Sequence, residues 1–443
     1  MNAQETKRLG PIALASGVSH FNVITFLYAA FIAIAMLAGM NFLQPYLLST
    51  HLQLADADMG KVTGTLAVIT EIVTVLFIVP IGALTDRIGR RPLIVAGIFL
   101  FGLGYVLSGF ATSLLELYLY RLFFYAFGAA CLATTLATIN NDYPQEMSRG
   151  KLIGISNVMS TLGVAFVTLV IAKIPEQLTA KGWDPVAAGE VMFLVAGGLC
   201  FISAALFQCG LKPGIPTMIH ERSSFKTLVL SGFRNGRNPR ILLSYAAAFT
   251  ARGDLALKGV FISAWATVVA PDLGLTRAEA LGAVGVLVGL TNMAAGLLWN
   301  PIFGWIMDRL NRVTSLALAM GIAAIGFSSM ALYDDPTGIA IAPALLVLAM
   351  GASSAMGASI TLVGQEAPAN ERGSVIAANG LFGAIGIGVA VPLGGFLFDE
   401  IGPTAPFVMI GGLQAVLCIL SIVVRIAAPG LSIAEARARV KAN

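Results

Sequence analysis

Charge is scarce in this chain. Asp, Glu, Lys and Arg make up 11% of the 443 residues, against roughly 25% in a soluble globular protein. Histidine is rarer still: His20, His51 and His220 are the only three, too dispersed to gather a metal site. The four cysteines, Cys131, Cys200, Cys209 and Cys418, fall in or at the end of apolar runs and not in loops. No disulfide and no metal centre is therefore expected. The patterns H-E-x-x-H, G-x-S-x-G and G-x-x-x-x-G-K-[ST] are missing, which removes the usual signatures of metal hydrolysis, acyl transfer and nucleotide-driven work. We expect no enzyme and no cofactor. The net charge of +4 does not point to nucleic acid, because the basic residues follow membrane topology and form no patch.

What the chain has in abundance is apolar surface. Apolar residues make up 57% and the mean hydropathy is +0.85, the composition of a polytopic membrane protein. Twelve apolar segments, each long enough to cross about 30 Å of hydrocarbon, fall at 20–49, 60–84, 93–111, 114–140, 152–174, 190–210, 240–270, 279–306, 313–333, 339–363, 374–397 and 403–427. The first is too long for the roughly 7 to 15 residues of a signal-peptide core and has no small-residue cleavage site, so it is expected to stay as a helix. Glycine is frequent, at 48 residues, as expected where membrane helices approach closely without a hydrophobic force between them. Gly351, Ala355 and Ser359, spaced by four in the tenth segment, leave one smooth face.

Orientation follows from the basic residues. With the N-terminus inside, the cytoplasmic segments hold 20 of the 27 Lys and Arg, the external ones hold 4, and three lie in the membrane. Both termini are thus expected in the cytoplasm of a bacterial inner membrane. The longest polar stretch, 211–239, divides the chain into an N-terminal bundle at 1–210, a cytoplasmic linker, and a C-terminal bundle at 240–443. The middle of the linker, 223–233, is amphipathic. It either lies on the inner membrane surface, held by anionic lipid, or is a solvated connection.

The loops repeat. Gly82-Ala83-Leu84-Thr85-Asp86-Arg87-Ile88-Gly89-Arg90-Arg91 returns as Gly304-Trp305-Ile306-Met307-Asp308-Arg309-Leu310-Asn311-Arg312, with the two Asp residues 222 positions apart. Pro144-Gln145-Glu146-Met147-Ser148-Arg149-Gly150 returns as Pro368-Ala369-Asn370-Glu371-Arg372-Gly373, with the two Arg residues 223 apart. Two loops matched at one offset indicate a duplicated six-helix unit. The pattern G-x-x-x-D-R-x-G-R-R resembles the cytoplasmic loop signature of the major facilitator superfamily of secondary transporters. That resemblance implies an all-α membrane fold of 12 transmembrane helices, in two pseudo-symmetric six-helix bundles around a central cavity, working by alternating access. In the family the motif's carboxylate and arginines tie the halves together on the cytoplasmic side. The resemblance gives this gating role to Asp86, Arg87 and Arg90 in the first half and to Asp308, Arg309 and Arg312 in the second, where Asn311 replaces the motif's glycine. The alternative is a topological anchor that obeys the charge rule without gating. The antiporter element of the family's fifth helix is absent here, which argues against a drug antiporter. A similar string, Gly388-Val389-Ala390-Val391-Pro392-Leu393-Gly394-Gly395, stands in the eleventh segment.

Chemistry inside the membrane must come from the few ionisable residues there, since each is costly unless paired or hydrated. Glu71 lies 15 residues before Asp86, near mid-depth, and burial favours its protonated form. Arg121 lies in the outer half of the fourth segment and partly resembles the arginine of the family's R-x-x-x-G element, with Tyr125 at the glycine position. The seventh segment carries Arg252, Asp254 and Lys258. Asp254 and Lys258 share a face, while Arg252 is turned by roughly 200° from Asp254 at about 100° per residue. Gly253 between them suggests a local break, as in discontinuous transporter helices. Two readings stay open: ion pairs that only hold helices in register, Asp254 with Lys258 and Glu71 with Arg121, or a site in which Glu71 and Asp254 couple protons and Arg121, Arg252 and Lys258 bind substrate. Asn41, Gln44 and Asn292 are polar neutral residues that would line the same cavity.

The sequence therefore points to a secondary active transporter, monomeric, in contact with membrane lipid, and driven by an ion gradient. Protons are the expected coupling ion because carboxylates are available. Intramembrane basic residues outnumber acidic ones three to two, which favours symport of a small organic anion. A proton-coupled antiporter exporting drug-like or amphiphilic compounds is the alternative, and a transport-dead membrane sensor is a third.

Overall fold

The computed structural model describes residues 8–10, 12–145, 148–214, 233–368 and 372–430. Among them eleven helices are long and apolar enough to cross a membrane. A twelfth, Pro239–Val269, spans 31 residues and carries Arg252, Asp254 and Lys258. In chain order the helices are α1 (His20–Tyr46), α2 (Met59–Ile88), α3 (Arg90–Gly109), α4 (Leu114–Tyr120, then Phe127–Asp142), α5 (Arg149–Leu169), α6 (Pro185–Gly210), α7 (Pro239–Val269), α8 (Arg277–Ala294, then Asn300–Met307), α9 (Arg312–Ser329), α10 (Ala342–Glu366), α11 (Arg372–Glu400) and α12 (Ala405–Ala427). Three of them contain a wider, π-helical turn: α1 ends in one at Leu47–His51, α4 is interrupted by one at Arg121–Ala126, and α8 by one at Ala295–Trp299.

Local signals set the helix ends. Ser19 and Asn22 form a reciprocal capping box at the start of α1, while Asp184 accepts from the Val186 and Ala187 amides at the start of α6. Asn238 caps α7 just before Pro239, which suits the first helical position. Gly89 joins α2 to α3 at φ +94°, a conformation that glycine adopts without cost. At the repeat-equivalent position Asn311 sits at φ −59° and its side chain accepts from the Val313 amide. The second copy of the motif thus exchanges a backbone turn for a side-chain cap.

The chain forms two compact units. The first comprises Met1–Leu54, Ile69–Glu221 and Leu275–Gly289. In it α3 packs on α6, α1 on α5, around Phe26, Phe101, Tyr105, Phe193 and Phe207, all fully buried. Glycines set the close approaches: a Cβ at Gly163 would strike the Phe31 carbonyl of α1, and one at Gly197 would meet Val106 of α3. The start of α8 also belongs here, with Gly285 and Gly289 against Thr168 of α5.

The second unit comprises Ala55–Val68, Arg222–Gly274 and Leu290–Asn443. In it α7 packs on α11, and α9 on α10 and α12, around Phe303, Met320, Leu362 and Leu417. The smooth face of α10 has the expected use: Gly351 abuts Ala323 of α9, and Ser359 exchanges hydrogen bonds with Ser244 of α7, each 3.0 Å. The start of α2 belongs to this unit, where Asp399 of α11 accepts from the amides of Gly60 and Lys61, each at 2.8 Å. The amphipathic linker stretch 223–233 lies, apart from Phe233, outside the described residues. The only strands among the described residues, β1 (Arg8–Leu9) and β2 (Ile12–Ala13), were not expected from sequence.

Candidate functional site

Arg121 is the best-defined interior cation. It opens the π-helical turn of α4 and is 3% exposed. Its Nε donates to Thr70 Oγ1 of α2 at 2.9 Å, and Nη2 donates to Asn41 Oδ1 of α1 at 2.5 Å. Its guanidinium lies over the Tyr125 ring, 4.1 Å from the centroid, an attraction strengthened by exclusion of water. The tyrosine is fixed by its own hydroxyl, which donates to the Leu37 carbonyl at 2.8 Å. Nη1 is buried with no partner among the described residues. The Glu71 to Arg121 bridge, one of the two sequence readings, is thus not formed: the arginine takes the neighbouring Thr70 and Asn41 instead. Glu71 stands half-buried on α2, and Gln44 is buried on α1 one turn beyond Asn41.

Arg252 and Asp254 face apart, as helical spacing predicted, while Asp254 and Lys258, expected on one face, reach different helices. Arg252 is exposed and its Nη1 donates to the Gly380 carbonyl of α11 at 3.2 Å. Asp254 is fully buried and accepts from Gln414 Nε2 of α12 at 2.6 Å. Lys258, 8% exposed, donates from Nζ to Asn292 Oδ1 of α8 at 2.8 Å. The expected Asp254 to Lys258 pair gives way to two charge-to-amide bonds. The expected break at Gly253 does not occur, for α7 is continuous from Pro239 to Val269. Gly253 serves close packing instead, because a Cβ there would lie 3.0 Å from Ala390 Cβ and 3.1 Å from the Gly386 carbonyl.

The loop motifs share one interaction across the repeat. Arg90 Nη1 donates to the Thr85 carbonyl at 3.4 Å, and Arg312 Nη1 to the Met307 carbonyl at 2.8 Å. Each arginine satisfies a carbonyl at the C-terminal end of the preceding helix. Among the described side chains each also has an acidic partner. Arg90 pairs with Asp142 at the end of α4 at 2.8 Å, whereas Arg312 reaches Asp308 in its own motif at 3.3 Å. Arg309 lies over the Trp305 ring at 3.6 Å, and Arg87 is exposed. The Asp86, Arg149 and Arg372 side chains, with residues 146–147 and 369–371, lie outside the described residues.

Beside the first motif, the N-terminal strands grip the loop after α4. Ala15 N donates to the Tyr143 carbonyl at 2.9 Å, Gln145 N to the Ala13 carbonyl at 2.8 Å, and Ala13 N to Ser148 Oγ at 3.0 Å. Tyr143 Oη accepts from the Lys212 amide at 2.9 Å. Burial pushes this phenol up to about 12.

The family model of the Major Facilitator Superfamily matches residues 25–391. The chain belongs to this superfamily. Its fold is the superfamily's all-α membrane fold, it is an integral membrane protein, and as a superfamily transporter it binds small-molecule substrates. It is 27% identical over 376 residues to the magnetosome protein MamH of Paramagnetospirillum magneticum, covering 83% of this chain and 84% of that one. It is 26% identical to the magnetosome protein MamZ of Magnetospirillum gryphiswaldense, with 83% of this chain covered but only 57% of the longer relative. Monocarboxylate transporter 11 of Homo sapiens is 28% identical over 75% of this chain and 69% of its own. The crystal structure of the nucleoside transporter NupG superposes with a TM-score of 0.70 at 12% identity, over 91% of this chain and 99% of the other. In this superfamily member, sequence reasoning missed Thr70 and Gln414 as partners of charged groups. Gln414 carried a usable signal, being the one carboxamide in the apolar run 405–424.

Proposed function

We propose that the chain is a secondary active transporter that moves a small organic anion with protons across a bacterial inner membrane, its termini cytoplasmic and its site exposed alternately to the two sides. The observation that carries this reading is Arg121, a buried guanidinium whose side-chain partners are all neutral and whose Nη1 has no partner among the described residues. A buried cation without a counter-charge is costly, and an incoming carboxylate offsets that cost with a bidentate, charge-assisted contact. Lys258 with Asn292 is the second cationic point, and Arg252 the third. Asn41 and Asn292 orient these cations, with Gln44 beside Asn41. Glu71 and Asp254 are the carboxylates for proton coupling. The likeness to a transporter named for monocarboxylates supports the same substrate class. The motif residues Asp86, Arg87, Arg90, Asp308, Arg309 and Arg312 are assigned to gating, and the protein is expected to work as a monomer.

The test is reconstitution in vesicles with an imposed pH gradient and a panel of labelled mono- and dicarboxylates. Accumulation of an anion down the proton gradient, lost on dissipation of that gradient, supports the reading. Binding of lipophilic cations in place of anions, with their export against proton entry, would replace it with the antiporter.

A further inference from the structure

We infer that Gln414 is a positioning residue that holds a proton on Asp254. Both side chains are 0% exposed, and Gln414 Nε2 donates to Asp254 Oδ2 at 2.6 Å. The other end of the same carboxamide, Oε1, is buried with no partner among the described residues. A carbonyl oxygen shut away from water calls for a donor. The surroundings offer few. On α7 itself Lys258 gives its bond to Asn292 of α8. The helices packed on α7 bring no Asp, Glu, His, Lys or Arg over 343–365, 373–398 and 405–424; α12 adds the half-buried Cys418 thiol and, in its last turn, Arg425, which donates to Thr314 Oγ1 and the Pro429 carbonyl.

A protonated Asp254 supplies what is missing. A neutral carboxyl and a primary amide join through two opposed hydrogen bonds, Nε2–H to one carboxyl oxygen and carboxyl O–H to Oε1. Loss of the proton leaves the carboxylate with the first bond and removes the donor to Oε1, so the carboxamide then faces a second acceptor. The α7 to α12 contact is thereby keyed to one proton. This assignment rests on the coupling reading of Asp254 for its part in transport, but the pairing itself requires no substrate.

Infrared spectroscopy of the full-length protein in lipid, without substrate, tests it. One protonated-carboxyl C=O band should vanish in Asp254→Asn and move to higher frequency in Gln414→Met, where the carboxyl O–H has lost its acceptor. Absence of an Asp254-dependent band across the pH range in which the protein stays folded overturns the inference, as does a band that Gln414→Met leaves in place. Should Gln414→Met fail to fold, thermal denaturation of Asp254→Asn decides. Asparagine presents an N–H where the acid presents O–H, so a melting temperature equal to or above the parent's supports the pairing and a clear drop overturns it. If the band behaves as expected while Asp254→Asn still accumulates substrate on a pH gradient, the coupling reading fails and the pairing stands.

Discussion

Arg121 in the first repeat and Lys258 in the second are both buried cations bound to an asparagine amide oxygen, yet their electrostatic settings differ. Lys258 has an ionisable carboxyl, Asp254, one turn away on its own helix. Arg121 has a tyrosine face, a threonine and an amide, with no ion pair among the described residues. At the loops the comparison runs the other way, since Arg90 and Arg312 each bind the carbonyl five residues back. Contacts to backbone survive duplication because every helix end offers the same unsatisfied carbonyls. Interior side-chain contacts depend on individual residues and are free to diverge, so the asymmetric interior is where specificity is expected to reside.

The sharpest way to break the comparison is to neutralise the carboxylates. Asp254→Asn and Glu71→Gln should each abolish gradient-driven accumulation while retaining substrate exchange, because a group that never deprotonates cannot couple although the site still reorients. Accumulation at the parent rate in both variants would remove them from coupling. Next in size is the cation itself. Arg121→Gln should weaken binding of an anionic substrate more than tenfold, as one buried charge-assisted bond contributes about 1.5 to 3 kcal/mol. Lys258→Gln should cost less, since Asp254 offsets that charge in the part of the cycle in which it has released its proton, and calorimetric titration of the two variants would measure the difference. Equal losses would mean that the two cations are equivalent.

A smaller effect is expected from Tyr125→Leu. It removes the ring under Arg121 and should lower anion affinity several-fold, in line with about 1 to 2 kcal/mol for a water-excluded cation–π contact. Smallest, and sited in the loops, is the contrast between Gly89→Ala and Asn311→Gly. The first forces a side chain into the left-handed region, at about 1 to 2 kcal/mol, whereas the second loses a cap for a few tenths of that unit. Detergent-phase thermal denaturation should therefore fall further for Gly89→Ala.

The helices were legible because long apolar runs and their flanking caps are local signals. The sequence segment 240–270 and the observed Pro239–Val269 agree almost to the residue. The opposed settings of Arg252 and Asp254 also followed from helical spacing alone. The partners did not: Thr70 and Gln414 stand on other helices, and nothing in one chain fixes which face of α2 or α12 meets which cation or carboxyl. Gly253 was misjudged for a related reason. A glycine in a helix serves both breaks and close approaches, and only the neighbouring Ala390 and Gly386 distinguish them.

The wide turn at Arg121–Ala126 has a consequence for the length of α4. A π-helical turn carries one residue more than the regular winding needs. Deleting a single residue within 122–126 would let the helix close up into ordinary geometry with its two flanks still in phase, because the wide turn had taken up the extra residue locally. The same deletion in the regular stretch Phe127–Asp142 would swing everything beyond it by about 100° relative to Arg121. A one-residue deletion at 122–126, invisible to any count of hydrophobicity, should therefore be less damaging than one placed two turns further along α4.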